Sequence, residues 1–249
     1  MPERSAPVEE RVAALISQLA ELGSEKDRAG MARYAINVDD AFGVSIYELR
    51  RLAKPLRRDH GLALALWATG NHEARLLATI VDDPALVDEA QMESWVLDVD
   101  SWDVCDQLTS NLFDKTALAY AKAHAWAARE EEFVKRAAFA LMAALAVQDK
   151  AAPDDRLLAF LPLIEAHADD SRNFVKKAVN WALRNIGKRN GALHAAAVAC
   201  AQRIRAAANA RAGGERGGDA GARSARWVAA DALRELMSEK VRARLAARG

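Results

Sequence analysis

The feature that most restricts the fold of this chain is an internal repeat. Phe133-Val134-Lys135-Arg136-Ala137 recurs as Phe174-Val175-Lys176-Lys177-Ala178, forty-one residues later, with a looser echo at Glu73-Ala74-Arg75-Leu76-Leu77-Ala78. A period near forty leaves room for two helices and their turns, a unit that buries its apolar face only by stacking on its neighbours. Chance similarity between two alanine-rich amphipathic helices is the competing explanation of the repeat taken alone. No run of alternating β-branched residues bounded by turns is found, so almost no strand is predicted. With 249 residues, 51% of them hydrophobic, the chain has ample material for a packed core.

Helical periodicity extends over about 7–22, 25–36, 45–58, 61–69, 71–82, 85–98, 101–113, 114–128, 130–147, 154–168, 172–189, 191–209 and 225–247. Ser45 with Glu48 has the capping-box spacing, in which each side chain bonds the other residue's backbone N–H. Asp83-Pro84 reads as an acidic cap followed by proline at the first helical position. Residues 209–223, NARAGGERGGDAGAR, break the pattern with two Gly-Gly steps. They predict a flexible loop, not a phosphate cradle, since no strand precedes them and no Gly-Lys-Ser/Thr follows. Beyond it Trp227, Leu233, Leu236, Met237, Val241 and Leu245 recur at helical spacing. The expected organisation is all-α: a HEAT-like helical-repeat solenoid over 1–208, the Gly-rich loop at 209–223, and a C-terminal helix over 224–249 docked on the repeats.

Charge is segregated although the net charge is zero. Nine acidic residues and no Lys or Arg lie between Asp82 and Asp106, while nine Lys or Arg and no acid lie between Arg172 and Arg211. That asymmetry predicts a basic concave face that meets an anion, although alanine-rich helices solvating themselves with whichever charge is at hand look the same. Cys105 and Cys200 cannot make a disulfide framework and suit a reducing cytosol. The start, MPERSAPVEE, has no apolar signal core. The longest apolar run, Ala137 to Val147, is eleven residues, too short to span a bilayer. A cytoplasmic protein without a membrane partner is expected.

Two constellations bear on chemistry. On the helix 172–189, Lys177, Trp181, Arg184 and Lys188 are spaced i, i+4, i+7 and i+11 and share an arc of about 60° at 100° per residue. Trp181 therefore stands among cations, where it serves equally well to cover the edge of the core or to rest against a sugar while the cations hold phosphates. The same projection sets Arg136 where Lys177 stands. The second constellation is Asp100-Ser101-Trp102-Asp103-Val104-Cys105-Asp106. Asp103 falls in a first helical turn, where the dipole favours a carboxylate. Asp106 lies four residues after Trp102 on the same face. An indole beside a carboxylate suits a cationic ligand, and an aspartate paired with a basic neighbour is the alternative. The five histidines are scattered, with no His-Glu-x-x-His or Cys-x-x-Cys, so neither metal nor cofactor is expected.

Met31-Ala32-Arg33-Tyr34, Gly43-Val44-Ser45 before Leu49-Arg50-Arg51, Ser101-Trp102-Asp103-x-x-Asp106, Lys135-Arg136-Ala137-Ala138 and Phe174-Val175-x-Lys177-Ala178-x-x-Trp181-x-Leu183-Arg184 occur in that order. The ordered set resembles the bacterial DNA alkylation repair family, the AlkD-type HEAT-like-repeat alkylpurine DNA glycosylases, over about residues 10–190. The resemblance implies Asp106 as catalytic aspartate, Trp102 and Trp181 cradling the sugar of the damaged nucleotide, Arg136 beside the aspartate, and Tyr34 at the active site. It further implies duplex DNA carrying alkylated bases as partner, with Lys177, Arg184, Lys188, Lys135 and Lys176 as phosphate contacts, and a monomer at work on the nucleoid. The implied reaction is excision of cationic N3- or N7-alkylated purines such as 3-methyladenine and 7-methylguanine. The alternatives are a non-catalytic HEAT-repeat DNA-binding module and a protein scaffold.

Overall fold

The computed structural model of the chain describes residues 6–212 and 219–247, and within these every regular element is a helix. None of these helices is long and apolar enough to cross a membrane. The helices gather into two compact units, Met1–Ala117 and Leu118–Gly249.

The first unit holds α1 (Val8–Leu22), α2 (Glu25–Arg33), α3 (Ile46–Ala53), α4 (His60–Ala68), α5 (His72–Val81), α6 (Glu89–Leu97), α7 (Trp102–Asn111) and a 3-10 turn (Phe113–Lys115). Short polar side chains start most of them. Ser24, Ser45, Asp59, Asn71 and Asp88 each accept a hydrogen bond from the backbone N–H three residues on, satisfying donors that a helix leaves open. Ser45 thus forms its half of the expected box, while Glu48 accepts from Arg51 at 2.6 Å. The helix expected from residue 85 begins only at Glu89, capped by Asp88. Asp83 instead accepts from the N–H of Ala85 at 3.1 Å, closing an Asx turn that holds Pro84 outside the helix.

Helix α5 is the centre of this unit, packed against α3, α4 and α7. Its Glu73 is fully buried, and its carboxylate accepts from the N–H groups of Phe42, Gly43 and Val44 at 2.9, 2.8 and 3.1 Å. The loop before α3 is therefore gathered onto one carboxylate. Gly43 is required there: its φ is +83°, and a Cβ would collide with the backbone of Ser24 and Arg28. Nearby, the indoles of Trp67 and Trp95 stack with centroids 4.2 Å apart and planes 2° from parallel. Trp67 Nε1 donates to Asp98 at 2.9 Å, and the Arg75 guanidinium lies 5.4 Å from the Trp67 ring.

The second unit holds α8 (Ala119–Ala127), α9 (Glu132–Gln148), α10 (Asp154–Leu158), α11 (Leu161–Ala166), α12 (Asn173–Gly187), α13 (Gly191–Ala212), α14 (Ala220–Leu236) and α15 (Glu239–Ala246). Helix α9 lies between α8 and α12 and is buried from Val134 through Ala146. The two copies of the repeat, α9 and α12, pack on one another, and their equivalent Phe133 and Phe174 stack at 5.5 Å. On α12, Val175, Ala178, Val179, Ala182, Leu183 and Ile186 are buried, and Phe174, which helical projection puts on the same apolar arc, is half-buried. Buried amides tie the layers, with Asn185 Nδ2 donating to Ala143 O at 3.1 Å and Asn180 Nδ2 to Val228 O at 3.0 Å. At the end of α12, a Cβ on Gly187 would meet Leu236 at 2.8 Å and Ala197 at 2.9 Å, so only glycine lets α13 and α14 approach this closely.

Two expectations change here. The segment 209–223 is helical at both ends, since α13 runs to Ala212 and α14 starts at Ala220, and its centre, 213–218, lies outside the described residues. The C-terminal helix is two helices, α14 and α15, and α14 does not dock through Trp227. Its buried face is Ala222, Ser224, Ala225, Val228, Ala229, Ala232 and Leu236, while Trp227 is 40% and Met237 48% exposed. Small residues allow a close approach to α12 and α13, which leaves the bulky side chains outside.

Candidate functional site

In the first unit the candidates cluster around α7. Ser101 precedes the helix, and its hydroxyl donates to Asp103 at 2.5 Å. Trp102 is half-buried, and its Nε1 donates to the backbone carbonyl of Tyr34 at 2.9 Å. That bond pins the indole to the end of α2, where Ala35 takes the left-handed conformation at φ 56°. Tyr34 itself points its ring outward, 75% exposed. Asp106 follows Trp102 by one turn on the same face and is half-buried. The structure thus brings Tyr34 and Trp102 into contact and places Asp106 one turn along.

Asp103 has a different duty. Its Oδ2 is hydrogen-bonded to Nε2 of His72, the first residue of α5, at 2.9 Å. Burial pulls the His72 pKa down, but the hydrogen bond and charge of Asp103, with smaller help from Glu73 and Asp100, outweigh it and hold it above its ordinary 6.5. Burial likewise works to raise the Asp103 pKa, and the bond and charge of His72, with the Ser101 hydroxyl, hold it below 3.8. This pair fastens α7 to α5. Sequence reasoning missed it because the partners are thirty-one residues apart and a lone histidine carries no motif.

In the second unit, α12 carries Lys177 exposed, Trp181 half-buried, and Arg184 and Lys188 partly covered. The last two are not open cations. Arg184 Nη1 donates to Glu235 at 2.5 Å and lies 3.8 Å from Asp231, and Lys188 Nζ donates to Glu235 at 2.7 Å. Burial works to raise the Glu235 pKa, and Lys188 with Arg184 hold it below its ordinary 4.5. Elsewhere Arg172 pairs with Asp170, Arg203 with Glu165, and Arg211 with Asp169. The basic run 172–211 is thus largely compensated by acids outside it, contrary to the reading from the sequence.

The two cations of the first repeat copy also depart from expectation. Arg136 is 5% exposed and donates to the carbonyl of Phe174, in the first turn of α12, at 2.7 Å. Lys135 is 6% exposed, with Glu130 and Asp170 at 3.9 and 4.0 Å. Arg136 is thus interior on α9, although Lys177, its counterpart on α12, is exposed. Lys176, in turn, lies 5.6 Å from the ring of Trp227. Both cysteines are buried, and burial pushes the Cys200 thiol up to about 12, which leaves it inert.

This geometry is matched by relationship. A family model described as "DNA alkylation repair enzyme" matches residues 15–236. A solved structure described as "a new family of proteins related to the HEAT-like repeat DNA glycosylases with affinity for branched DNA structures" is similar at a TM-score of 0.70 and 23% identity. The alignment covers 77% of this chain and 82% of that one, and at such identity it shows a shared HEAT-like fold. No curated protein matches. With the family model spanning nearly the whole of both units, the chain belongs to the DNA alkylation repair enzyme family.

Proposed function

We propose that this protein is a monofunctional DNA glycosylase that releases cationic N3- and N7-alkylated purines from duplex DNA. The observation that carries the reading is the α7 pair: an indole pinned through its N–H to the Tyr34 carbonyl, with a carboxylate one turn along, in a chain of the DNA alkylation repair family. Its N–H is engaged by the Tyr34 carbonyl, and the faces of an indole ring attract positive charge.

Alkylation at N3 or N7 gives the purine a formal positive charge. The bond between C1′ and the base nitrogen breaks with both electrons going to the base, which leaves neutral and needs no acid. The positive charge passes to the sugar as an oxocarbenium-like species. Asp106 stabilises that charge, orients a water for addition at C1′ and accepts its proton, and an abasic site remains. Trp102 adds cation–π stabilisation of about 0.5–2 kcal/mol, and in the second unit Trp181 stands among the cations of α12. Arg136 braces the first turn of α12 through the Phe174 carbonyl, and Tyr34 borders the site. Lys176 and Lys177, with Arg184 and Lys188 once drawn from Glu235, contact phosphates. Lys135 is too buried for a direct contact.

The test is single-turnover base release from duplexes carrying one lesion each. 7-Methylguanine and 3-methyladenine are released, uracil and hypoxanthine are not, and D106N loses about 10²–10³ in rate while binding an abasic-analogue duplex within a few-fold of wild type. Efficient release of hypoxanthine, or near wild-type release by D106N, overturns the mechanism. The description of the structural relative favours a second reading, DNA binding without base release. Tight binding to DNA with no release of any lesion would establish it instead.

A further inference from the structure

Helix α14 repeats, on its solvent side, a pattern found on α12. Arg223, Trp227, Ala230 and Arg234 have the spacing i, i+4, i+7 and i+11 of Lys177, Trp181, Arg184 and Lys188, and all four are exposed. They share an arc of about 60°. The two stripes meet at Asp231, which lies 3.8 Å from Arg184 of one and accepts from Arg234 of the other. Lys176 of α12 adds a cation 5.6 Å from the Trp227 ring.

Packing does not call for an indole at residue 227. Val228 and the alanines of α14 make the contact with the neighbouring helices, and Trp227 stands aside from them, 40% exposed. A large aromatic face on the surface, bracketed by arginines one turn before and two turns after, is the arrangement by which proteins hold unpaired nucleotides: the base stacks and the flanking phosphates meet cations. A continuous duplex offers such a ring nothing, since each base already has both faces covered by its neighbours.

We propose that the α14 stripe is a binding site for an unpaired nucleotide of DNA, its base stacked on Trp227 and its phosphates held by Lys176, Arg223 and Arg234. The site rests on the DNA-binding part of the proposed function and does not depend on base release.

The test compares, by fluorescence anisotropy, the affinity for a continuous duplex with that for the same duplex bearing a single-stranded tail. Wild type is expected to prefer the tailed DNA. W227A should shrink that preference about 5-fold or more, the loss of one stacked base, and W227F should keep most of it. The surface variant R223A/R234A, which keeps the indole, should flatten the salt dependence of tail binding by about 0.7 per lost contact. Wild type that binds neither DNA overturns the DNA reading itself. Equal binding of both DNAs by wild type, or a tail preference that survives W227A, overturns this site alone. If W227A does not fold, an unchanged salt slope in R223A/R234A overturns the site in its place.

Discussion

The two units differ in which charge does most of the fastening to backbone, although Arg28 and Arg75 of the first also donate to the carbonyls of Val38 and Asp98, and Asp149 and Asp170 of the second accept from backbone N–H groups. In the first, carboxylates gather backbone donors: Glu73 takes three N–H groups of the 42–44 loop, and Asp59 and Asp88 cap helices. In the second, cations gather backbone acceptors. Arg136 donates to Phe174 O, Arg172 to Glu130 O, Arg244 to Lys188 O, and Arg189 to the carbonyls of Ala146, Lys150 and Ala152. A run of like charge in the sequence is thus no measure of a surface of that sign. Much of the acidic run 82–106 and the basic run 172–211 is structural, and a functional charge is one that this fastening leaves over.

That contrast is broken most sharply at Glu73. E73A leaves three backbone donors without their carboxylate, and at about 1–3 kcal/mol for each buried group it should destabilise the first unit by about 4 kcal/mol. Urea unfolding followed by circular dichroism measures this. A loss under 1 kcal/mol would mean the loop finds water or another acceptor, and the carboxylate fastening would lose its best case.

A smaller effect is expected at the His72–Asp103 pair. His72 has a folded pKa raised above 6.5, so its contribution is complete below about pH 6.5 and is lost as pH rises through the folded value. Asp103 has a folded pKa held below 3.8, so its contribution is present above about pH 3.8 and is lost as pH falls through the folded value. The pair therefore stabilises most between those limits. D103N should cost about 1.5–3 kcal/mol near pH 6, and the gap from wild type should narrow toward pH 9. Melting temperatures of both proteins across that range decide it, and a pH-independent gap would show that the ion pair contributes nothing beyond the hydrogen bond.

The smallest effect sharpens the other half of the comparison. Glu235 occupies Arg184 and Lys188, so E235Q should release Lys188 and leave Arg184 only its longer pairing with Asp231, tightening duplex binding about 2- to 5-fold, the scale of partly exposed ion pairs, with a steeper salt dependence. Unchanged affinity and slope would mean that neither cation meets DNA.

The helical layering was legible because periodicity reports which face is apolar, and on α12 every residue of the projected arc except Phe174 is buried. The spacing of Trp102 and Asp106 was legible for the same reason, since both lie within one helix. Illegible were the features joining distant residues: Glu73 to the 42–44 loop, His72 to Asp103, Glu235 to α12. Each partner is ordinary in its own segment, and only tertiary packing pairs them. Trp227 was misread for a related reason. Hydrophobicity marked it as core, but the buried face of α14 is Ala222, Ser224, Ala225, Val228, Ala229, Ala232 and Leu236, and Trp227 lies off that face.

The stacked Trp67 and Trp95 carry a consequence for measurement. Two indoles this close and nearly parallel couple their electronic transitions, giving the first unit its own ellipticity signature. The part of the ellipticity that belongs to the Trp67–Trp95 pair therefore reports the melting of Met1–Ala117, while total indole emission follows both units. Two curves that coincide would identify one cooperative block, and two that separate would give each unit its own unfolding temperature.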